Sequence, residues 1–115
     1  MLRIEEFQAE RIGFLTAVYE ITTRIPRGQV LGYAQLGALI GKPRHGRQVG
    51  NALKKLPLET EIPWWRVIRS DGSIALQGDP LRGPLQKQLL HNERISFRNA
   101  YTINIQKHRW QPVIV

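Results

Sequence analysis

Apolar residues at Phe7, Phe14, Leu15, Val18 and Ile25 recur at helical spacing, which predicts an amphipathic scaffold helix from about Ile4 to Thr23, closed by Pro26 and Gly28. The stretch Ile25-Pro26-Arg27-Gly28-Gln29-Val30 joins a fixed proline φ to a permissive glycine and reads as a turn. From Tyr33 the pattern is helix to Ile40, a turn at Gly41-Lys42-Pro43, then a second helix from about Arg44 to Leu56. A short helical pair around a glycine-containing turn fits a helix-turn-helix. On the second helix Val49, Ala52, Leu53 and Leu56 form an i, i+3, i+4, i+7 stripe for the core, while Arg47, Gly50, Asn51 and Lys54 share another face.

Pro57 ends that helix, and an irregular stretch leads into Pro63-Trp64-Trp65-Arg66-Val67-Ile68. Asp71-Gly72, set between Val67-Ile68-Arg69 and Ser73-Ile74-Ala75-Leu76, is a hairpin signal. Gln77-Gly78-Asp79-Pro80 reads as a loop, and Leu81, Leu85 and Leu89 predict a last helix to about His91, with strand-like pieces at Ile95–Phe97 and Tyr101–Ile105 beyond it. The expected fold is mainly α with a small β-hairpin, a winged helix-turn-helix-like domain spanning 1–115 as a single unit without internal repeats.

Composition narrows the chemistry. A chain of 115 residues with 42% hydrophobic content can bury one core. No run approaches the roughly 18 apolar residues of a membrane span, and Glu5-Glu6 fall where a signal peptide needs apolar residues, so the expectation is an intracellular protein with no membrane partner. Seventeen Lys+Arg against nine Asp+Glu give a net charge of +8, which draws polyanions and makes nucleic acid the first partner to consider. Zero cysteine excludes disulfides, thiolate metal sites and thiol nucleophiles. His45, His91 and His108 lack metal-ligand spacing and the acids form no tight cluster, so neither a metal nor another cofactor is expected.

Two features stand out. Gly50 costs about 1 kcal/mol relative to alanine within a helix, which points either to close approach of a partner's backbone or to tight packing on a neighbouring helix. Adjacent Trp64 and Trp65 cannot both point inward from an extended segment; tryptophan is otherwise a large core residue with one donor to satisfy.

The order Ile25-Pro26-Arg27-Gly28-Gln29-Val30, Tyr33, Arg47-Gln48-Val49-Gly50, Ile62-Pro63-Trp64-Trp65-Arg66-Val67, Ser70 and Gly72-Ser73 resembles the DNA-binding domain of O6-alkylguanine-DNA alkyltransferases, and the alkyltransferase-like proteins more closely. The resemblance runs from about Phe14 to Glu93. It places Trp64 where the repair enzymes carry the alkyl-accepting cysteine of Pro-Cys-His-Arg-Val, and it places Trp65 where both groups usually carry histidine. It implies a non-enzymatic role: binding duplex DNA that contains O6-alkylguanine, flipping the base and flagging it for nucleotide excision repair proteins, with the protein acting as a monomer. Tyr33 would rotate the 3′ phosphate, Arg47 would fill the vacated stack, and Trp64, with Trp65 and Val67, would receive the base. Arg47, Gln48, Gly50, Asn51 and Lys54 would lie along a helix in the minor groove. Glu93 matches the glutamate that supports the missing histidine and reads here as a structural acceptor. The rival readings are a winged-helix transcription regulator of undamaged DNA and an enzyme with another nucleophile or a glycosylase activity.

Overall fold

The computed structural model describes residues 1–74 and 79–115. The N-terminal apolar run folds as three short pieces rather than one helix: a 3-10 turn at Ile4–Phe7, α1 at Ala9–Ile12 and α2 at Phe14–Arg24. Gln8 causes the first break, because its backbone is extended and its side-chain amide donates to the carbonyls of Ile4 at 2.8 Å and Leu39 at 2.9 Å. Gly13 causes the second, with a φ of 89° that a helix interior cannot accommodate. The apolar periodicity still places Phe7, Val18 and Ile25 in the core. Ile25 is extended because it precedes Pro26, and α2 ends there.

Strand β1 (Leu31–Gly32) feeds directly into α3 (Tyr33–Leu39), where the Gln35 side chain accepts the Gly32 N–H at 3.0 Å. The turn into α4 (Gly46–Lys54) is tight. Gly41 has a φ of 81°, and a Cβ on Gly37 would stand 2.6 Å from the Lys42 carbonyl oxygen, so a side chain at Gly37 would force the two helices apart. The expected core stripe is in place: Val49, Ala52, Leu53 and Leu56 are all buried, against α2 and α3.

A 3-10 turn at Trp64–Arg66 leads to β2 (Val67–Ile68), which runs parallel to β1 with Leu31 opposite Val67 and Gly32 opposite Ile68. The chain is thus mainly helical with a small two-stranded sheet, although the pairing around the Asp71-Gly72 turn differs from the expected hairpin. The turn itself forms, with the Gly72 N–H donating to the Arg69 carbonyl at 2.9 Å and the Arg69 N–H to the Ser73 carbonyl at 3.2 Å. Beyond it, Ser73 pairs antiparallel with Thr102, and Ile74 donates to the Tyr101 carbonyl at 2.9 Å. Ile68 and Ile74 both bury in a second apolar cluster with Val30, Leu90, Ile95 and Ile103. The rest of the expected return strand and loop, residues 75–78, lies outside the described residues.

Helix α5 (Arg82–Asn92) packs on the Trp64–Arg66 turn. The strand-like tail pieces form a short antiparallel pairing of Phe97 with Ile103, followed by α6 (Ile105–His108). Among the described residues no helix is long and apolar enough to cross a membrane.

Candidate nucleic-acid interface

Helix α4 presents Arg47, Gln48, Asn51 and Lys54 to solvent, opposite its buried stripe. Gly50 lies on the same side, under the ring of Tyr33. A Cβ added at Gly50 would meet that ring at 3.7 Å, an ordinary contact, so packing on a neighbour does not demand glycine here. Burial raises the Tyr33 pKa more than nearby Arg69 lowers it, so its hydroxyl stays protonated and can donate at neutral pH.

Between the end of α4 and the start of α5 is a cavity of about 60 Å³, within a depression of about 500 Å³ open to solvent. It is lined by Tyr33, Gly50, Leu53 and Lys54 on one side, Asp79, Arg82, Gly83 and Gln86 on the other, and Trp64. Trp64 is 5% exposed, and its Nε1 is buried with no hydrogen-bond partner among the described residues. A buried donor left unmatched costs about 1–3 kcal/mol; among the described residues Trp64 Nε1 shares this state with one other buried side-chain atom, His45 Nδ1, which does not line the cavity. The Arg82 guanidinium lies over the Trp64 ring, 5.1 Å from its centroid. Gln86, also buried, donates to the carbonyls of Trp65 and Val67, each at 3.2 Å, and so fixes the backbone just after Trp64.

Because the segment at Trp64 is a 3-10 turn, the two indoles diverge, standing edge to face with centroids 6.1 Å apart. Trp65 turns away from the cavity and donates its Nε1–H to Glu93 at 2.8 Å. Glu93 also accepts from Arg66 Nε at 3.0 Å, Arg66 Nη2 at 2.8 Å and the Gly28 N–H at 3.1 Å. Burial pushes the Glu93 pKa up, but the bonds from Arg66, Trp65 and Gly28 outweigh it and hold the carboxyl below its ordinary value. Arg66 Nη1 donates to the Ile25 carbonyl at 2.7 Å, and His108 Nδ1 lies 3.2 Å from the Gly28 carbonyl, so this node ties the Pro26–Gly28 turn to α5 and the tail.

Of the residues singled out in the sequence, the structure gathers Tyr33, Gly50, Lys54 and Trp64 at one cavity. Arg47, Gln48 and Asn51 stand exposed along α4 beside it, whereas Trp65 and Val67 do not line it. Val67 is fully buried in β2, and Trp65 belongs to the Glu93 node. His45 sits at the N-cap of α4 without a capping side-chain bond, and His91 stacks on Phe97 at 4.7 Å. Arg82 and Gln86 complete the cavity without having been singled out. Their four-residue spacing on one helix face was the available signal. Among the described residues no cluster of His, Cys, Asp and Glu could hold a metal ion.

Residues 13–95 match the family described as 6-O-methylguanine DNA methyltransferase, DNA binding domain. The DNA base-flipping protein of Vibrio parahaemolyticus is 38% identical over 99 residues, covering 86% of this chain and 97% of the relative. Alkyltransferase-like protein 1 of Schizosaccharomyces pombe is 35% identical over 103 residues, covering 86% of this chain and 95% of the relative. The crystal structure of S. pombe Atl1 in complex with damaged DNA containing O6-carboxymethylguanine matches with a TM-score of 0.80 at 33% identity, over 96% of this chain and 100% of that one. With its tryptophan-walled cavity beside the second helix of a helix-turn-helix, and no cysteine anywhere in its sequence, this chain belongs to the alkyltransferase-like family.

Proposed function

We propose that this protein recognises O6-alkylguanine in duplex DNA, holds the base flipped against Trp64, and leaves the alkyl group in place. The observation that carries this reading is the cavity at the end of α4, walled by a tryptophan whose buried indole N–H has no partner among the described residues. An aromatic wall offers a base roughly 1–3 kcal/mol of stacking. Tyr33, whose ring lies beside Gly50, would crowd the phosphate of the extruded nucleotide. Arg47, exposed at the start of α4, would enter the stack in its place, a task that suits a planar guanidinium. Gln48, Asn51 and Lys54 would follow the DNA alongside it, and Gly50 lets the helix backbone come close. Alkylation weakens the base pair, so flipping costs less at the lesion and part of the selection precedes entry to the pocket.

The absence of cysteine removes the thiolate chemistry of a suicidal transferase, and the protein acts as a non-enzymatic sensor. Family kinship supports the further step of flagging the lesion for nucleotide excision repair proteins. The test is competition between duplexes identical except for guanine or O6-methylguanine at one position. Preference for the methylated duplex in several flanking sequences is expected, with no methyl gain on the protein by mass spectrometry. Equal affinity, or a preference that follows sequence rather than lesion, would overturn the reading in favour of a regulator of intact DNA.

A further inference from the structure

The cavity has a cationic wall that the family reading does not require. Arg82, in the first turn of α5, reaches over Trp64, its guanidinium carbon 5.1 Å from the ring centroid. Its Nη2 donates to the main-chain carbonyls of Lys54, at 3.2 Å, and of Leu56. These carbonyls belong to the end of α4, where a helix leaves acceptors without intrahelical partners. Arg82 is therefore held mainly by backbone. Its nearest carboxylate, Asp79, approaches no closer than 3.9 Å to Nε, and the Asp79 Oδ1 is engaged by the N–H groups of Leu81 and Arg82 at 2.9 and 3.0 Å. Among the described residues Arg82 Nη1 has no acceptor. Lys54 adds a second cation to the same cavity, against the single acid Asp79.

We propose that Arg82 is a specificity-determining residue, making the pocket prefer bases whose alkyl substituent ends in a carboxylate over neutral substituents of the same size. This rests on the base pocket proposed above. Trp64 and Arg82 line the same cavity, so a substituent that enters it beside the indole meets the guanidinium at the cavity wall. Because Arg82 is already pinned and its side chain is only 16% exposed, engaging an anion costs little ordering and is weakly screened. A charge-assisted bond from a guanidinium to a carboxylate is about twice as strong as its neutral counterpart, so charge and not bulk would decide between isosteres.

The experiment uses three duplexes that differ at one guanine: unmodified, O6-carboxymethylated, and O6-carbamoylmethylated as the neutral isostere. Binding is measured by fluorescence anisotropy at one fixed ionic strength with the wild-type protein and Arg82→Gln. The wild type is expected to bind the acid roughly tenfold more tightly than the amide. Arg82→Gln should bring that ratio close to one while keeping the preference of the amide duplex over guanine. Equal wild-type binding of acid and amide would overturn the proposal without any variant, and so would an unchanged ratio in a folded Arg82→Gln. If neither modified duplex outcompetes guanine, the base pocket itself is wrong, and the charge selectivity falls with it.

Discussion

Trp64 and Trp65 are neighbours in the chain, yet their indole N–H groups end in opposite states. The Trp65 donor is spent on Glu93, a carboxylate that also takes hydrogen bonds from Arg66 and Gly28. The Trp64 donor is buried without a partner among the described residues, on a side chain that lines a cavity. One region is saturated and built to stay as it is; the other holds a polar group in reserve. An unmatched buried donor costs the fold unless an acceptor from outside the chain meets it, and at the cavity this sets the proposed reading site apart from the scaffold behind it. Trp65 belongs to the scaffold side: an indole has a donor but no basic lone pair, so it can anchor Glu93 but cannot serve as a base.

The largest expected effect lies on the saturated side. Glu93→Ala strands the Arg66 guanidinium, whose side chain is 15% exposed, and should cost about 3–5 kcal/mol of stability by urea denaturation. The same node sets a pH dependence. Because the folded-state pKa of Glu93 is depressed, its contribution is fully present above the ordinary glutamate value of about 4.3 and is lost as pH falls through the lower folded value. Glu93→Gln should therefore flatten the stability profile below about pH 4.3. A profile that keeps its full acid limb in Glu93→Gln would show that other carboxylates govern it, and a loss under about 1 kcal/mol in Glu93→Ala would dissolve the contrast between the two tryptophans.

What could be read from the sequence follows the range of the forces involved. The α3–α4 pair was legible because its signals are local: periodicity, a turn glycine and a core stripe within a few residues of one another. The proposed site was legible as a set of residue types, yet its assembly was not. Arg82 meets the carbonyls of Lys54 and Leu56 across more than twenty residues, and Trp65 meets Glu93 at a separation of 28. No periodicity encodes such pairs. The single helix expected over the first twenty residues failed for a different reason: the apolar spacing was sound, but Gln8 found better partners in Ile4 and Leu39 than in a continuous helix. The turn at Asp71-Gly72 was legible from its residue types, whereas the antiparallel pairing of Ser73 with Thr102 joins positions 29 residues apart and has no local signal.

On the reading side, Arg47→Ala should weaken binding to an O6-methylguanine duplex by about 1–3 kcal/mol, the range of a lost stacking contact, while leaving thermal stability within about 0.5 kcal/mol. Arg47 is exposed, in the first turn of α4. The measurement is paired titration of damaged and undamaged duplexes. A proportionate loss on both would reassign Arg47 from the vacated stack to the phosphate backbone.

Lys54 gives the smallest effect and the finest division between the two regions. Its backbone belongs to the scaffold, since its carbonyl holds Arg82, while its exposed ammonium sits at the cavity rim. Lys54→Ala removes only the second of these, because alanine keeps the carbonyl and favours the helix. If the ammonium does no more than neutralise one phosphate, the slope of log affinity against log salt should fall by about one unit, equally for damaged and undamaged duplexes. The ratio of their affinities should then stay as it is in the wild type. A change in that ratio at constant salt would mean that Lys54 senses the base itself, and the reading site would extend from the tryptophan wall onto the recognition helix.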